Sequence, residues 1–240
     1  MEFTNPKDIQ ASFKNAGGEF ISPLSVFFEK LPSIKAFVFD WDGVFNNGFK
    51  PDNNGSPFSE TSSMGLNMLR YSYYLKNGVQ PHVFIITGEN NLPALKLAER
   101  EHYHGVYLSM KNKLDALDHI EKHFGIHNNE VAFSFDDILD LGMAEKAGLR
   151  FAVKRKSNPL MNEFVKEQGL ADYRTGADGD QHAVREICEL LIGLNGNYPQ
   201  TIEGRFRFTE GYTTYLNERN SIEVQLYEAK TGVIKPFKKQ

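Results

Sequence analysis

Short apolar runs alternate with helix-period segments through the middle of the chain. Five of these runs are typical of buried strands, and they are Ala36–Phe39, His82–Ile86, Gly105–Leu108, Val131–Phe135 and Phe151–Val153. Five segments with apolar residues at helical spacing predict helices, and they are Gly65–Leu75, Leu92–Arg100, Lys113–Phe124, Leu139–Ala147 and Ala183–Leu194. Strand–helix alternation is typical of a parallel sheet covered on both faces, so the pattern predicts a Rossmann-like α/β fold.

One segment precedes this pattern and another interrupts it. Residues 1–33 form an N-terminal extension with one amphipathic stretch, Leu24–Leu31. Residues 46–63 are rich in Asn, Gly, Pro and Ser. They predict a β-hairpin flap after the first strand, with Asn54-Gly55 as its turn.

A C-terminal tail follows the last predicted helix. Residues 195–240 carry many aromatic and charged side chains. The alternation of apolar and polar positions in Arg205–Phe208 and Ile222–Leu226 predicts one or two strands there. The central domain is therefore expected to span residues 34–194.

Composition narrows the class of protein. The 240 residues are 40% hydrophobic and 24% charged, as in an ordinary globular protein. The net charge of −4 gives no overall attraction to nucleic acid or to an anionic membrane, so neither is expected as a partner. No apolar run approaches the ~20 residues that span a bilayer, and no signal-peptide core is present. Cys188 is the only cysteine, which excludes an intramolecular disulfide. These features predict a cytoplasmic protein.

Two carboxylates follow the first predicted strand, in the motif Asp40-Trp41-Asp42-Gly43. Magnesium is usually held by one or two carboxylates together with water and phosphate oxygens. A carboxylate beside such a cation stays ionised and can attack phosphorus, while its neighbour can protonate the leaving oxygen and then activate water. A helix cap or an acidic loop would also explain one Asp here, but the spacing Asp-x-Asp-Gly favours catalysis.

A hydroxyl, a glycine and a lysine are candidates for binding phosphate. Thr87 and Gly88 follow the second predicted strand, where a hydroxyl and backbone N–H groups can face an anion. Thr87 is equally suited to cap the helix that begins near Leu92. Lys113 opens the next helix, a position that the helix macrodipole disfavours unless an anion lies nearby. An ordinary solvated lysine is the alternative, and Lys111 is a competing candidate.

Three carboxylates follow the fourth predicted strand, and they are Asp136, Asp137 and Asp140. Like charges this close repel unless a cation joins them. A capped helix N-terminus explains one or two of these acids but not easily three. The carboxyl ends of parallel strands meet at one edge of a sheet, so the four motifs predict a single acidic, cation-binding pocket that faces Lys113.

The order Asp-x-Asp-Gly, Thr-Gly, Lys, Asp-Asp-x-x-Asp resembles the haloacid dehalogenase (HAD) superfamily. It more closely resembles the small-capped branch that contains 3-deoxy-D-manno-octulosonate 8-phosphate phosphatase. The resemblance runs from about Ile34 to Leu194 and implies a HAD-like phosphatase domain that uses Mg²⁺. It includes further matching segments, which are Asn112-Lys113-Leu114, Met143–Leu149 and Ala183–Cys188.

The resemblance implies that Asp40, Asp42, Thr87 and Lys113 are catalytic, and Gly88 is a further candidate for binding the phosphate. Asp40 would be the nucleophile that forms an aspartyl-phosphate. Asp42 would be the general acid and then the general base. Thr87, Gly88 and Lys113 would bind the phosphate with Asp40, and Lys113 would also restrain the charge of the aspartyl-phosphate.

The resemblance also implies a metal site and an assembly. Asp40 and Asp136 would bind magnesium directly, Asp42 would add its backbone carbonyl, and Asp137 and Asp140 would support the site from outside. Family members are commonly tetramers, with the hairpin after the first motif at the interface. A tail from a neighbouring subunit can close the site. A homo-oligomer, with a tetramer suspected, is therefore expected.

Several positions depart from the family pattern. Glu89 replaces the arginine that usually follows Thr-Gly, Thr61-Ser62-Ser63 replaces Arg-Asp-Gly, and Gly179–His182 replaces Gly-Gly-Arg-Gly. Arginine binds carboxylates in a bidentate manner, so these losses weaken the case for an eight-carbon sugar acid. We expect a phosphomonoester hydrolase acting on a small phosphorylated metabolite, with a sugar phosphate as the best substrate class. A phosphotransferase or mutase, and a non-catalytic HAD-like binding or assembly protein, remain as alternatives.

Overall fold

The computed structural model of the protein describes residues 5–51, 55–230 and 232–238. The described helices are α1 Pro6–Asn15, α2 Leu24–Lys30, α3 Glu60–Asn77, α4 Leu92–Arg100, α5 Lys113–Phe124, α6 Leu141–Lys146, α7 Pro159–Glu167, α8 Ala183–Asn195, α9 Tyr198–Phe206 and α10 Glu210–Asn220. The strands are β1 Glu19–Phe20, β2 Ala36–Asp40, β3 His82–Ile86, β4 Gly105–Leu108, β5 Val131–Phe135, β6 Leu149–Ala152, β7 Tyr173–Arg174, β8 Gln225–Lys230 and β9 Val233–Pro236.

The strands form one sheet in the order β1-β7-β6-β5-β2-β3-β4-β8-β9. Its central part is parallel, and only the outermost pairs, β1 with β7 and β8 with β9, are antiparallel among the described strands. The predicted parallel α/β fold is therefore confirmed. β1, β7 and β9 extend the sheet beyond the strands that the sequence pattern predicted.

Alternate residues of β2 face opposite sides of the sheet, as the pleat requires. Phe37 and Phe39 enter an apolar core shared with α3, α4 and α8. Ala36 and Val38 enter a second core, shared with α5 and α6. Because both faces of the strand are buried, it reads as a continuous apolar run rather than an alternating one.

The loop after β2 differs from the predicted flap. The described residues of 46–63 form no strand, and Asn54 of the predicted turn lies outside the described residues. Residues from Glu60 onward instead begin α3, where the Ser59 side chain accepts a hydrogen bond from the Ser62 backbone N–H at 3.1 Å. Pro57 has no N–H that could donate a hydrogen bond to a neighbouring strand. The described part of this stretch is a loop that leads into the capped start of α3.

The tail contains two helices, α9 and α10, before the strands β8 and β9. Arg205–Phe208 was expected to be a strand, but its first two residues end α9. Gly204 explains the packing of this helix, because a Cβ there would lie 2.4 Å from the Tyr71 hydroxyl of α3. The strand expected at Ile222–Leu226 begins later, as β8, and pairs in parallel with β4.

Three further differences are smaller. The predicted helix Leu139–Ala147 is a short 3₁₀ turn, Ile138–Asp140, followed by α6. The strand predicted at Phe151–Val153 begins earlier, at Leu149. Helices α1 and α7 were not predicted. No helix in the described part of the chain is long and apolar enough to cross a membrane.

Candidate active site

The predicted motifs gather at the carboxyl edge of the sheet. Asp40 ends β2, and Thr87 and Gly88 follow the neighbouring β3. Lys113 begins α5, after β4, and Asp136 follows β5 on the other side of β2. All of these residues except Thr87 line a cleft of about 270 Å³, whose wall also includes Asp42, Asn47, Gly48, Glu89, Lys111, Asp137, Leu139, Asp140 and Arg155.

Lys113 joins two buried carboxylates at the base of the cleft. Its ammonium donates hydrogen bonds to Oδ1 of Asp40 and to Oδ1 of Asp140. These anions offset the unfavourable position of a lysine at a helix N-terminus. Burial lowers the pKa of Lys113, but the two carboxylates together raise it more, so the ammonium stays charged.

Burial raises the pKa of Asp40 well above its usual range. The nearby Asp140 and Asp136 raise it further, and Lys113 acts in the opposite direction. A cation placed among these acids would lower the pKa again, because it favours the ionised form. The nucleophile expected from the sequence is therefore in a position where its charge depends on bound cations.

Asp40, Asp136 and Asp140 form a compact carboxylate cluster. One oxygen from each lies within 4.8 Å of the others, and all three residues are buried. Oδ1 of Asp136 is buried without a hydrogen-bond partner among the described residues. An unsatisfied buried oxygen is costly, and a hard divalent cation with oxygen ligands would satisfy it. The donor set therefore fits magnesium.

Arg155 provides a cation that sequence reasoning missed. Its Nε donates to Oδ2 of Asp136 from the loop after β6. Burial raises the pKa of Asp136 to about 6, against the opposing effect of Arg155. Gly43 is required beside this pair, because its φ is +92° and a Cβ would lie 2.0 Å from Nη2 of Arg155. Two cations directly after a strand, Lys154-Arg155, were the available signal.

Asp140 and Asp137 occupy different environments. Oδ2 of Asp140 accepts from the backbone N–H groups of Asp136 and Asp137, at 3.4 and 3.1 Å, while Oδ1 accepts from Lys113. Both Asp140 oxygens are thus engaged by the protein. Asp137 is exposed, and its carboxylate caps the 3₁₀ turn through the N–H of Ile138 at 2.8 Å.

Asp42 is held by three groups that the sequence did not identify as site residues. Ser56 donates its hydroxyl to Oδ1 of Asp42. Oδ2 accepts from Asn91 Nδ2 at 2.8 Å and lies 3.3 Å from the Lys50 ammonium. Trp41 fixes the Ser56 loop, because its indole N–H donates to the Ser56 carbonyl at 3.1 Å.

Thr87 is fully buried just after β3, and the N-cap position of the helix that follows is occupied by Asn91, not by Thr87. Its Oγ1 accepts from Asn91 Nδ2 at 2.7 Å. The adjacent Gly88 lines the cleft, whereas the Thr87 side chain does not. Structure therefore places this motif at the cleft but leaves the Thr87 hydroxyl beneath its wall.

The competing lysine lies at the rim. The Lys111 side chain is 73% exposed and pairs with Glu89 at 2.7 Å, whereas the Lys113 side chain is only 4% exposed. This ion pair holds the acid that replaces the family arginine. Lys113 is the lysine that contacts the carboxylates of the cleft.

Comparison with known proteins places this site in a family. No family model matches the chain. It is similar to the 3-deoxy-D-manno-octulosonate 8-phosphate phosphatase KdsC of Salmonella typhi, with 30% identity over 171 residues that cover 70% of this chain and 84% of the relative. It is similar in structure to a protein of Legionella pneumophila assigned to the HAD superfamily (subfamily III A) hydrolases, with 30% identity, a TM-score of 0.62, and coverage of 77% and 96%.

A third relative contains ligands. It is the 3-deoxy-D-manno-octulosonate 8-phosphate phosphatase of Moraxella catarrhalis, solved with a magnesium ion, a phosphate ion and a KDO molecule. The identity is 25%, the TM-score 0.61, and the match covers 78% of this chain and 100% of that one.

The sheet, the carboxylate cluster and these relatives define a magnesium-dependent phosphatase of the HAD superfamily. Within it, the chain belongs to the family of 3-deoxy-D-manno-octulosonate 8-phosphate phosphatases represented by KdsC. The expected family, the phosphomonoester hydrolase activity and the magnesium cofactor are thus confirmed.

Proposed function

We propose that this phosphatase hydrolyses a phosphorylated sugar through an aspartyl-phosphate formed on Asp40. The observation that carries the proposal is the buried cluster of Asp40, Asp136 and Asp140, with Lys113 against two of its members. Such a cluster combines a nucleophile with cations that counter the charge of a phosphoryl group. The residues for attack and for charge neutralisation are therefore within reach of one phosphate.

Asp40 and Asp136, with the backbone carbonyl of Asp42, are proposed to hold magnesium, and Asp137 and Asp140 to support them. When bound, the ion supplies charge neutralisation for the transferring phosphoryl group. Asp140 uses both of its oxygens for Lys113 and for backbone N–H groups, so it is suited to orient its neighbours.

The chain's own residues account for the proton transfers. An Asp40 oxygen forms a bond to phosphorus as the bond from phosphorus to the leaving oxygen breaks, and Asp42 gives that oxygen a proton. Asp42 then takes a proton from water, whose oxygen attacks phosphorus and releases Asp40 and inorganic phosphate. Thr87, Gly88 and Lys113 are proposed to hold the phosphate oxygens throughout.

The substrate class follows from the relatives and from the departures at the rim. Two of the three relatives are named as 3-deoxy-D-manno-octulosonate 8-phosphate phosphatases, which supports a small phosphorylated sugar here. Glu89, paired with Lys111, lines the cleft where the family has arginine. We propose a changed sugar specificity on residues 34–194 as the catalytic unit, with residues 1–33 and 195–240 as additions, and self-association as in the family.

Magnesium-dependent hydrolysis of p-nitrophenyl phosphate tests the proposed activity. We expect release of p-nitrophenol with Mg²⁺, its loss with a chelator, and its return when Mg²⁺ is added back. Assaying phosphorylated sugars under the same conditions identifies the substrate. An increase in phosphorylated acceptor at the expense of free phosphate, when acceptor alcohols are added, would favour phosphotransfer. Absence of turnover on every phosphate ester would favour a non-catalytic protein.

Asp136→Asn is expected to change how stability depends on pH in chelator. Below about pH 4 the carboxyl is protonated in both the folded and the unfolded chain. Between about pH 4 and pH 6, only the folded chain keeps the proton, because burial raises the pKa of Asp136 to about 6. As the pH rises through this window, the Asp136 carboxyl therefore lowers wild-type stability by up to about 1.4 kcal/mol per pH unit. The variant lacks this contribution.

Chemical denaturation at several pH values measures the effect. Adding Mg²⁺ at pH 7 should stabilise the wild type more than Asp136→Asn. Asp137→Asn is the matched control, because Asp137 is exposed and asparagine can keep its capping bond. Equal stabilisation of all three proteins by Mg²⁺ would contradict a metal ligand at Asp136.

A further inference from the structure

Asn91 precedes helix α4 in the N-cap position, but its side chain does not cap that helix. Asparagine at this position commonly accepts a hydrogen bond from an N–H of the first turn. Asn112, at the start of α5, does so through the N–H of Leu114. The Asn91 side chain is instead fully buried and turned toward the site.

The Asn91 amide connects three parts of the site. Nδ2 donates one hydrogen bond to Oδ2 of Asp42, at 2.8 Å, and one to Oγ1 of Thr87, at 2.7 Å. Oδ1 accepts from the backbone N–H of Ser56 at 3.3 Å. Gly55 closes over it, because a Cβ there would lie 2.3 Å from the same oxygen. Both amide hydrogens and the carbonyl are therefore used, in a position with no room to rotate.

These bonds set the direction of two other groups. Oγ1 of Thr87 accepts from Asn91, so its own proton is left to donate elsewhere. Asp42 accepts a hydrogen bond from Asn91 on one oxygen and from Ser56 on the other. These two bonds fix the plane of its carboxyl group. The acid and the phosphate-binding hydroxyl are thus tied to one rigid amide.

We propose that Asn91 is a positioning residue. It holds the carboxyl of Asp42 and the hydroxyl of Thr87 in a fixed relation, so that Asp42 reaches the leaving oxygen while Thr87 binds the phosphate. The proposal rests on the proposed roles of Asp42 and Thr87. Asn91 itself does not contact the substrate, and its effect on the reaction passes through these two side chains.

Asn91→Asp separates positioning from capping. Aspartate has the size of asparagine and is an equally good N-cap, so a structural role predicts that it is milder than Asn91→Ala. An ionised aspartate cannot donate to Asp42 or Thr87, and it places a negative charge against Asp42. Positioning therefore predicts that Asn91→Asp loses more activity than Asn91→Ala, whereas a capping role predicts the reverse order.

Leaving-group dependence provides a readout that general destabilisation does not change. An alkyl phosphate needs a proton on its leaving oxygen, whereas p-nitrophenol leaves with little help from an acid. General acid catalysis contributes about 10²–10⁴-fold, so we expect Asn91→Ala to lower kcat about 100-fold on the alkyl ester and less than about tenfold on p-nitrophenyl phosphate. KM should rise a few-fold for both esters as the Thr87 hydroxyl loses its orientation.

Asn90 offers the matched control, because it is the adjacent asparagine and is exposed. Asn90→Asp and Asn90→Ala should match the wild type on both esters. If Asn91→Asp fails to fold, Asn91→Ser replaces it in the same two-ester comparison. Equal losses on the two esters, or an Asn91→Asp enzyme as active as the wild type, would overturn the positioning role. An inactive wild type would instead reject the proposed function.

Discussion

Replacing Asp40 with asparagine is expected to lower kcat at least about ten-thousandfold, as losses of single catalytic nucleophiles do. The amide is a far weaker nucleophile than the carboxylate, and no other carboxylate combines the end of the central strand with contact to Lys113 among the described residues. Asp140 also contacts Lys113, but its oxygens are engaged by Lys113 and by backbone N–H groups. The loss should therefore not be compensated from within the site.

The fold should survive this change. Asparagine matches aspartate in size, and Lys113 keeps Asp140 as its partner. Removing one of three clustered negative charges also relieves the repulsion that raises the pKa of Asp40. Circular dichroism and thermal melting should thus match the wild type closely.

Steady-state and single-turnover assays measure the expected loss. Acid quenching with a labelled phosphate ester should leave label on the wild-type protein and none on Asp40→Asn. Asp118→Asn, an exposed acid on α5, is the control and should retain full activity. Wild-type turnover by purified Asp40→Asn would reject the nucleophile assignment.

The parallel core was predictable because its strands and helices carry local signals. β3, β4 and β5 were predicted to the residue, since strands buried on both faces are continuous apolar runs. Helix α5 was bounded correctly because Asn112 caps its start and Gly125, with φ +66°, ends it. In these elements local pattern and tertiary packing agree.

One of the two strands predicted in the tail is wrong, because tertiary packing there outweighs the local sequence pattern. Arg205–Phe208 alternates in a way that suits a strand, but Gly204 brings α9 into close contact with Tyr71 and the chain stays helical. Helix α10 has little apolar periodicity, and its buried residues are Tyr212 and Tyr215. Aromatic residues with polar groups do not mark a helix face clearly in a sequence.

The clustering of carboxylates at this edge was predictable because several of them follow buried strands. The groups around Asp42 were missed because each has a simple local explanation. The position of Asn91 before a helix predicts a helix cap, and Ser56 lies in a Pro- and Ser-rich loop. Lys50 has the sequence context of an ordinary surface lysine. Their convergence on Asp42 depends on contacts across 8 to 49 positions of the chain, which no local pattern encodes.

Lys113→Met is expected to affect both catalysis and folding. Loss of one preorganised charged donor typically lowers kcat by about 10²–10³-fold. In chelator, the substitution also leaves buried Asp40 and Asp140 without their shared cation. Breaking a buried ion pair by removing one partner costs about 3–5 kcal/mol, so the free energy of unfolding should fall by that order.

The pH and magnesium dependence of this loss identify its cause. Without Lys113 the pKa of Asp40 should rise further, since burial and neighbouring acids already raise it. Protonation relieves the repulsion, so the stability deficit in chelator should be larger at pH 8 than at pH 5. Magnesium should reduce the stability deficit at pH 8, because the ion then neutralises the carboxylates that Lys113 neutralises in the wild type.

Lys111→Met is the matched control, with the same substitution two residues away. Its ammonium is exposed and pairs with Glu89, an interaction worth little in water. Chemical denaturation should therefore place it within about 0.5 kcal/mol of the wild type. Lys113 would not compensate the charge of this cluster if Lys113→Met had wild-type stability in chelator. The same would follow if its stability deficit changed with neither pH nor magnesium.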